Sequence, residues 1–329
     1  MSADPQDVPA EPALAAAPID AEESVPAVSA PAADADSTAG EPPIAAITAA
    51  RTVAVVLAEA AEVARPSEQT PAGWSDHAAP YETWAAPLDA RYAADVVAEL
   101  ELGPDVRLLD VATGTGALAL AAAQAGATVT AVDFAPGMVE ALDRRATDLG
   151  LDVRTAVMDG QALDLPDRAF DAAASMLGLM FFPDMAAGAR ELRRVLRLGG
   201  RAAAVTWALD GFTVMRLARE AIASTGPVVE PRDLPPVLRL SDPAVLEMLL
   251  QDAGFVSVSV RALAHAWPVG DAAALFRSIP TWSAPMRPLF TDLDAARLED
   301  AAGAFAALVA EHAGPEGLPT RMLLGTGTR

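Results

Sequence analysis

The chain has 329 residues, 52% of them apolar, with 45 acidic and 23 basic side chains and a formal net charge of −22. No cysteine is present, which excludes disulfides and thiolate metal sites, and every basic residue is arginine. So large an acidic excess argues against a partner held through its phosphate backbone, because that affinity comes from clustered Lys and Arg.

Residues 1 to about 46 consist of Ala, Pro, Asp, Glu and Ser with almost no large apolar side chain. Such a segment cannot bury enough surface to offset its ordering entropy, and it reads as disordered. ITAARTVAVVLAEAAEVAR (47–65) has the pattern of one helix, ended by Pro66. Residues 1–66 are therefore expected to extend a single domain over 67–329. The first fifty residues show no basic n-region, and 47–65 carries Arg51, Glu59 and Glu62. Neither a signal peptide nor a membrane span is expected, and a cytoplasmic location is the default.

From about Trp74, short apolar runs alternate with helical stretches, the signature of βαβ units and a parallel sheet. Strands are expected at 107–111, 128–132, 153–157, 170–175 and 202–207, with helices at about 116–125, 136–149 and 185–197. Gly199 and Gly200 then mark a left-handed helix cap. FVSVSV (255–260) alternates strictly, and RMLLGTG (321–327) is a further strand candidate. Between them 262–320 reads as mostly helical. A late helical insertion followed by a returning strand implies that the last strand is antiparallel.

The first strand runs into RLLDVATGTGALALAAAQ (107–124), where Gly114, Gly116 and Ala119 match a GxGxx(G/A) loop. Such a loop brings backbone N–H groups and a helix N-terminus against a ligand. Alone it is a weak signal. Asp110 ends the strand four residues before Gly114 and would repel a pyrophosphate while attracting a cationic group. Asp133 ends the second strand, placed to accept ribose hydroxyls, and Asp159 with Gly160 follows the third, placed for an adenine amine and ring nitrogen. An acid at one strand end is usually a turn or cap residue. Acids at successive strand ends converge on the carboxyl edge of the sheet, where open α/β folds bind ligands.

LLDVATGTG, AVDFAPGMVEAL, MDGQALDLPDRAFDAAASMLGLMFFPD and ELRRVLRLGGR resemble, in order and spacing, the motifs of class I S-adenosylmethionine-dependent methyltransferases. The likeness is to the small-molecule branch that includes ubiquinone and menaquinone biosynthesis enzymes, and it runs from about Trp74 to Arg329. It implies a Rossmann-like α/β fold with a seven-stranded, mostly parallel sheet in the order 3-2-1-4-5-7-6, strand seven antiparallel, helices on both faces and helical lid insertions. It implies S-adenosylmethionine as cofactor. Asp110 and the loop Thr113, Gly114, Thr115 and Gly116 would hold the methionine part, and Asp133 the ribose. Phe134 and Met138 would pack on the adenosine, with Asp159 and Gly160 at the adenine. Ser175–Leu179, including Met176, would line the cleft near the sulfonium. Acceptor-pocket insertions are expected at about 208–253 and 262–320.

The sequence departs from the family pattern in three places. Ala112 stands where many relatives have the first loop glycine, which should cost little. Met176 replaces a small polar residue, so one hydrogen bond to the cofactor would be absent. Leu198 replaces a proline before Gly199, loosening that turn.

Methyl transfer from a sulfonium is an in-line displacement promoted largely by positioning, and it needs a base only if the acceptor must lose a proton. The candidates are His77 and Tyr81, before the sheet, and His265, after FVSVSV. A surface or packing role is the commoner one for each histidine, and a lid or core role for Tyr81 and Trp74. The two candidate histidines and the third, His312, lack metal-ligand spacing, so no metal is expected. The arginines of 189–201 have the spacing of a solvated helix face, Asp171 that of a structural acid, and Phe181 and Phe182 fit either core or acceptor.

The leading expectation is methyl transfer to a small molecule, with no nucleic-acid partner. A nucleoside-binding scaffold without catalysis is the alternative. A nicotinamide-dependent oxidoreductase is disfavoured, because no lysine exists for a Tyr-Lys pair and Asp110 is badly placed for pyrophosphate. The acceptor, the atom methylated and the oligomeric state are not encoded in any motif.

Overall fold

The computed structural model describes residues 70–228 and 236–329. The expected tail 1–66 and its helix at 47–65 lie outside the described residues. Seven strands form one sheet: β1 (Arg107–Val111), β2 (Thr128–Asp133), β3 (Val153–Val157), β4 (Phe170–Met176), β5 (Leu196–Trp207), β6 (Val256–Trp267) and β7 (Leu318–Thr328). Their order is β3-β2-β1-β4-β5-β7-β6. β1 to β5 pair in parallel, and β7 runs antiparallel to both β5 and β6.

Parallel neighbours need crossovers, and helices supply most of them. α1 (Pro71–Trp84) and α2 (Ala86–Glu99) precede β1; α3 (Ala117–Gln124) and α4 (Pro136–Leu149) flank β2; α5 (Met185–Val195) leads into β5. α6 (Thr213–Ser224) and α7 (Pro243–Asp252) lie between β5 and β6, and α8 (Ala272–Trp282) and α9 (Ala295–His312) between β6 and β7. Both faces of the sheet are therefore covered, and alternate residues of one strand enter different cores. Leu108 packs with Val129, Ala172 and Ala174, while its neighbour Leu109 packs with Val132, Ala173 and Ala202. Among the described residues no helix is long and apolar enough to cross a membrane.

Two expected boundaries move. The helix expected at 185–197 ends at Val195, because Leu196 pairs with Phe170 and so begins β5. The ladder is then interrupted, since Ala172 pairs with Arg201. Gly199 has φ +74° in this bulge rather than capping a helix, and Leu198 beside it is exposed. The absence of proline there therefore disturbs no packing. The second shift is β6, which continues to Trp267 where 262–267 was expected to be helical. Pairing with the long β7 overrides local propensity, as the ten matched positions from Ser259 to Trp267 and Val256 show.

The acids and arginines around the α5–β5 junction are structural. Asp171 accepts from the Arg107 backbone and side chain and, at 2.5 Å, from Arg197 Nε. These bonds, those of Arg107 foremost, hold its carboxyl well below the usual range. Arg194 pairs with Glu191 and Asp167, and Arg201 with Glu99.

Candidate functional site

The segment after β1 turns sharply because its backbone enters the left-handed region at Ala112 (φ +56°), Gly114 (φ +55°) and Gly116 (φ +88°). A left-handed alanine costs about 1 kcal/mol relative to glycine, so the departure at Ala112 is not free. Its Cβ is accommodated because position 178 is glycine; a Cβ there would lie 2.3 Å from it. A Cβ on Gly114 would meet only open space, leaving its backbone approachable, whereas one on Gly116 would lie 2.2 Å from Leu142 Cδ1 of α4. Gly116→Ala thus combines strain with overpacking and should cost about 2 kcal/mol in denaturant unfolding. Unchanged stability would show that α4 yields readily.

The loop is clamped from β2 and α4. Asp133 Oδ2 accepts from the Gly114 N–H and Oδ1 from the Ala135 N–H, both at 2.9 Å. Arg145 of α4 donates to the Thr115 carbonyl at 2.5 Å and to its hydroxyl at 3.2 Å. Asp110 lies one layer deeper, 1% exposed, with Oδ2 accepting from Thr113 Oγ1 at 2.6 Å. Asp110 Oδ1 is buried and takes no hydrogen bond among the described residues.

Above the carboxyl edge of the sheet opens a cleft of about 1330 Å³, open solvent included. Thr113, Gly114, Thr115, Asp133, Phe134 and Met138 line it. So do Asp159, Gly160, Met176 and Tyr81. Asp110 and Gly116 support the loop from behind. Of Ser175–Leu179, only Met176, Leu177 and Gly178 reach the cleft, because the Ser175 hydroxyl turns to accept from the Leu179 N–H at 3.0 Å. Asp159 accepts from the Gln161 side chain and backbone.

Neither histidine candidate lines the cleft. His77 is buried, and its Nε2 accepts from Arg287 Nη2 at 2.6 Å. Burial first, and the Arg287 charge second, hold its pKa below the ordinary value, so it stays neutral with its base nitrogen taken. His265 pairs with Asp95 at 2.6 Å and packs edge-on against Tyr92. Tyr81 is in the cleft, and its hydroxyl donates to Asp89 Oδ2 at 2.7 Å.

Asp89 is the residue that motif reading missed. It is 3% exposed and lines the cleft from α2, in a helix whose buried stripe is Leu88, Asp89, Tyr92, Ala93 and Val96. An acid on the apolar face of an amphipathic helix was the available signal. The far wall is aromatic: Trp207 stacks on Phe212 at 4.4 Å between centroids, and Trp267 meets Trp282 edge-on at 5.7 Å. Phe181 and Phe182 line the cleft too, Phe181 against Trp74 at 5.1 Å.

Burial dominates the electrostatics. It pushes Asp110 up to about 7, against the Thr113 hydrogen bond and helped by the Asp133 charge. It pushes Asp133 up to about 6, against the Ala135 and Gly114 N–H groups. It pushes Asp89 up to about 7, although the Tyr81 hydroxyl opposes this. Among the described residues the cleft lining holds three carboxylates and no arginine, lysine or histidine.

Residues 109–204 match the family model described as a methyltransferase domain. An uncharacterized protein of Mycobacterium tuberculosis is 40% identical over 157 residues, 48% of this chain and 56% of that protein. A demethylmenaquinone methyltransferase of Thermus thermophilus is 45% identical over 113 residues, 34% of this chain and 50% of that protein. The chain thus spans about half the length of the curated relatives it matches. A solved SAM-dependent methyltransferase from Aquifex aeolicus aligns with 52% of this chain and 82% of its own at 21% identity, with a TM-score of 0.40.

Proposed function

We propose that this chain, whose residues 109–204 match a methyltransferase domain, is a class I methyltransferase that transfers a methyl group from S-adenosylmethionine to a small-molecule acceptor by in-line displacement. The observation that carries this reading is the charge of the cleft: three carboxylates and, among the described residues, no basic side chain around a glycine loop. A cleft lined by carboxylates, two of them buried, attracts a cationic ligand and repels a pyrophosphate. That preference separates a sulfonium nucleoside from a nicotinamide dinucleotide on the same kind of sheet.

The residues present fit the cofactor. Asp110 keeps a buried carboxylate oxygen that takes no hydrogen bond among the described residues, and the Gly114 backbone has open space above it. Because Thr113 stands between Asp110 and the cleft, Asp110 would act on the methionine ammonium through its charge and by orienting the Thr113 hydroxyl. Asp133 would take the ribose hydroxyls with the lone pairs its backbone donors leave. Phe134 and Met138 would hold the adenosine, and Asp159 and Gly160 the adenine edge. When bound, S-adenosylmethionine supplies an electrophilic methyl carbon. The chain contributes orientation and exclusion of water, because the remaining walls are aromatic and aliphatic.

Calorimetric titration of the full chain with S-adenosylmethionine, S-adenosylhomocysteine and NAD(H) tests the reading. Binding of the two sulfur nucleosides alone is expected. NAD(H) binding without them would sink it. Nucleoside binding with no transfer of a tritiated methyl group to any small molecule of a cell extract would replace it with the scaffold reading.

A further inference from the structure

We propose that Asp89 accepts the proton released in methyl transfer, with Tyr81 as its positioning partner. The acceptor is then a neutral, largely apolar molecule whose nucleophilic atom carries a hydrogen to lose. This rests on the methyltransferase reading above, and goes beyond it by naming a base and an acceptor class.

Asp89 differs from every other carboxylate at the cleft. Asp133 has a backbone N–H on each oxygen, and Asp159 is exposed and bonded to Gln161. Asp89 has the Tyr81 hydroxyl on Oδ2 and, among the described residues, no hydrogen bond on Oδ1. Among the described residues no cation compensates it. α3, packed against α2, is ALALAAAQ and carries no ionisable side chain. β6 faces α2 with Arg261 and His265, which pair with Glu99 and Asp95 respectively. α1, also packed against α2, carries Asp76, His77 and Glu82, of which His77 is held by Arg287 and Glu82 pairs with Arg144. Tyr92, one helical turn along, and Asp133, whose charge reaches Tyr81, also bear on the pair.

An uncompensated carboxylate on a helix's buried stripe destabilises the fold relative to leucine, so a role in the cleft is the physical reason to look for. Burial leaves Asp89 with a pKa of about 7, poised to be half-ionised near neutrality, which is where a general base works best. The histidine candidates are tied up elsewhere, so no better-placed base competes among the described residues. The acceptor class follows from the same walls. Leu88, Met180, Trp207, Phe212, Trp267 and Trp282 suit an apolar ring system, and the absence of a lining cation among the described residues disfavours an anionic one.

The step balances. A lone pair on the acceptor atom forms the bond to the methyl carbon as the carbon–sulfur bond breaks, its electron pair staying on sulfur. The acceptor's proton passes to Asp89 Oδ1. A cation and a carboxylate become a neutral sulfide and a neutral acid, a loss of charge that an apolar cleft favours.

The probes are 2-naphthol and its methyl ether, titrated calorimetrically into the full chain saturated with S-adenosylhomocysteine. At about pH 8, where Asp89 is ionised, the naphthol should bind about tenfold more tightly than the ether, the worth of one charge-assisted hydrogen bond. At about pH 6 the preference should shrink, because Asp89 is then mostly protonated. Asp89→Leu should abolish the preference at both pH values. In Tyr81→Phe the midpoint of the pH dependence should move upward, since the tyrosine hydrogen bond lowers the Asp89 pKa. A purely structural pair would not produce that shift. Equal binding of both probes, binding of neither, or a preference that survives Asp89→Leu overturns the proposal. Failure of S-adenosylhomocysteine itself to bind overturns the methyltransferase reading instead.

Discussion

Asp133→Asn should lower S-adenosylmethionine affinity by about 100-fold, the combined worth of charge-assisted bonds to two ribose hydroxyls. It should also destabilise the ligand-free protein by about 1–3 kcal/mol, for a reason visible in the loop. Both carboxylate oxygens accept backbone N–H groups, from Gly114 and Ala135. An asparagine offers one oxygen and one NH₂, so one of those buried donors would face another donor. Binding and folding are thus read separately, by calorimetry and by denaturant unfolding. Full affinity with lowered stability would make Asp133 a loop clamp only, and the ribose assignment would fall.

The second large effect is on pH. Asp110 and Asp133 are raised by burial to about 7 and about 6 in the ligand-free protein. A cationic ligand favours their ionised forms, so binding must expel whatever protons they carry. S-adenosylmethionine affinity should therefore fall as pH drops, by about 30-fold or more between about pH 8 and pH 5.5, with proton release on binding near neutrality. The sign for folding is opposite. Groups whose native pKa lies above the unfolded value bind more protons in the native state, so they stabilise at low pH. Their contribution is lost as pH rises from about 4 to about 7. Calorimetry in two buffers of different ionisation enthalpy counts the protons, and Asp110→Asn should flatten the steeper part of the curve. An affinity independent of pH would mean that neither acid senses the ligand's charge.

How far the sequence carries differs between these residues. β1, β2, β3 and α4 match their expected spans nearly residue for residue, because strand and helix signals there agree with the tertiary pairing. Misplacement occurred at β5 and β6, where ladders with Phe170 and with the long β7 recruit residues whose local pattern is helical or loop-like. The site divides in the same way. Glycines and acids at strand ends were legible because a tight turn with positive φ and the ends of the strands restrict residue type at fixed offsets along the chain. Asp89 and the tryptophans at 207, 267 and 282 were not, since they come from segments far apart in sequence and meet only when the helices close over the sheet.

The amino-acid sequence by itself determined the α/β order, the glycine loop and the acids at the strand ends, all of which are set by local chemistry and chain direction. The tertiary structure decided the ionic character of the cleft. Burial is a property of the packed molecule, and it raises Asp89, Asp110 and Asp133 together. It also withdraws His77 behind Arg287 and puts the Tyr81–Asp89 pair, rather than a histidine, at the cleft wall.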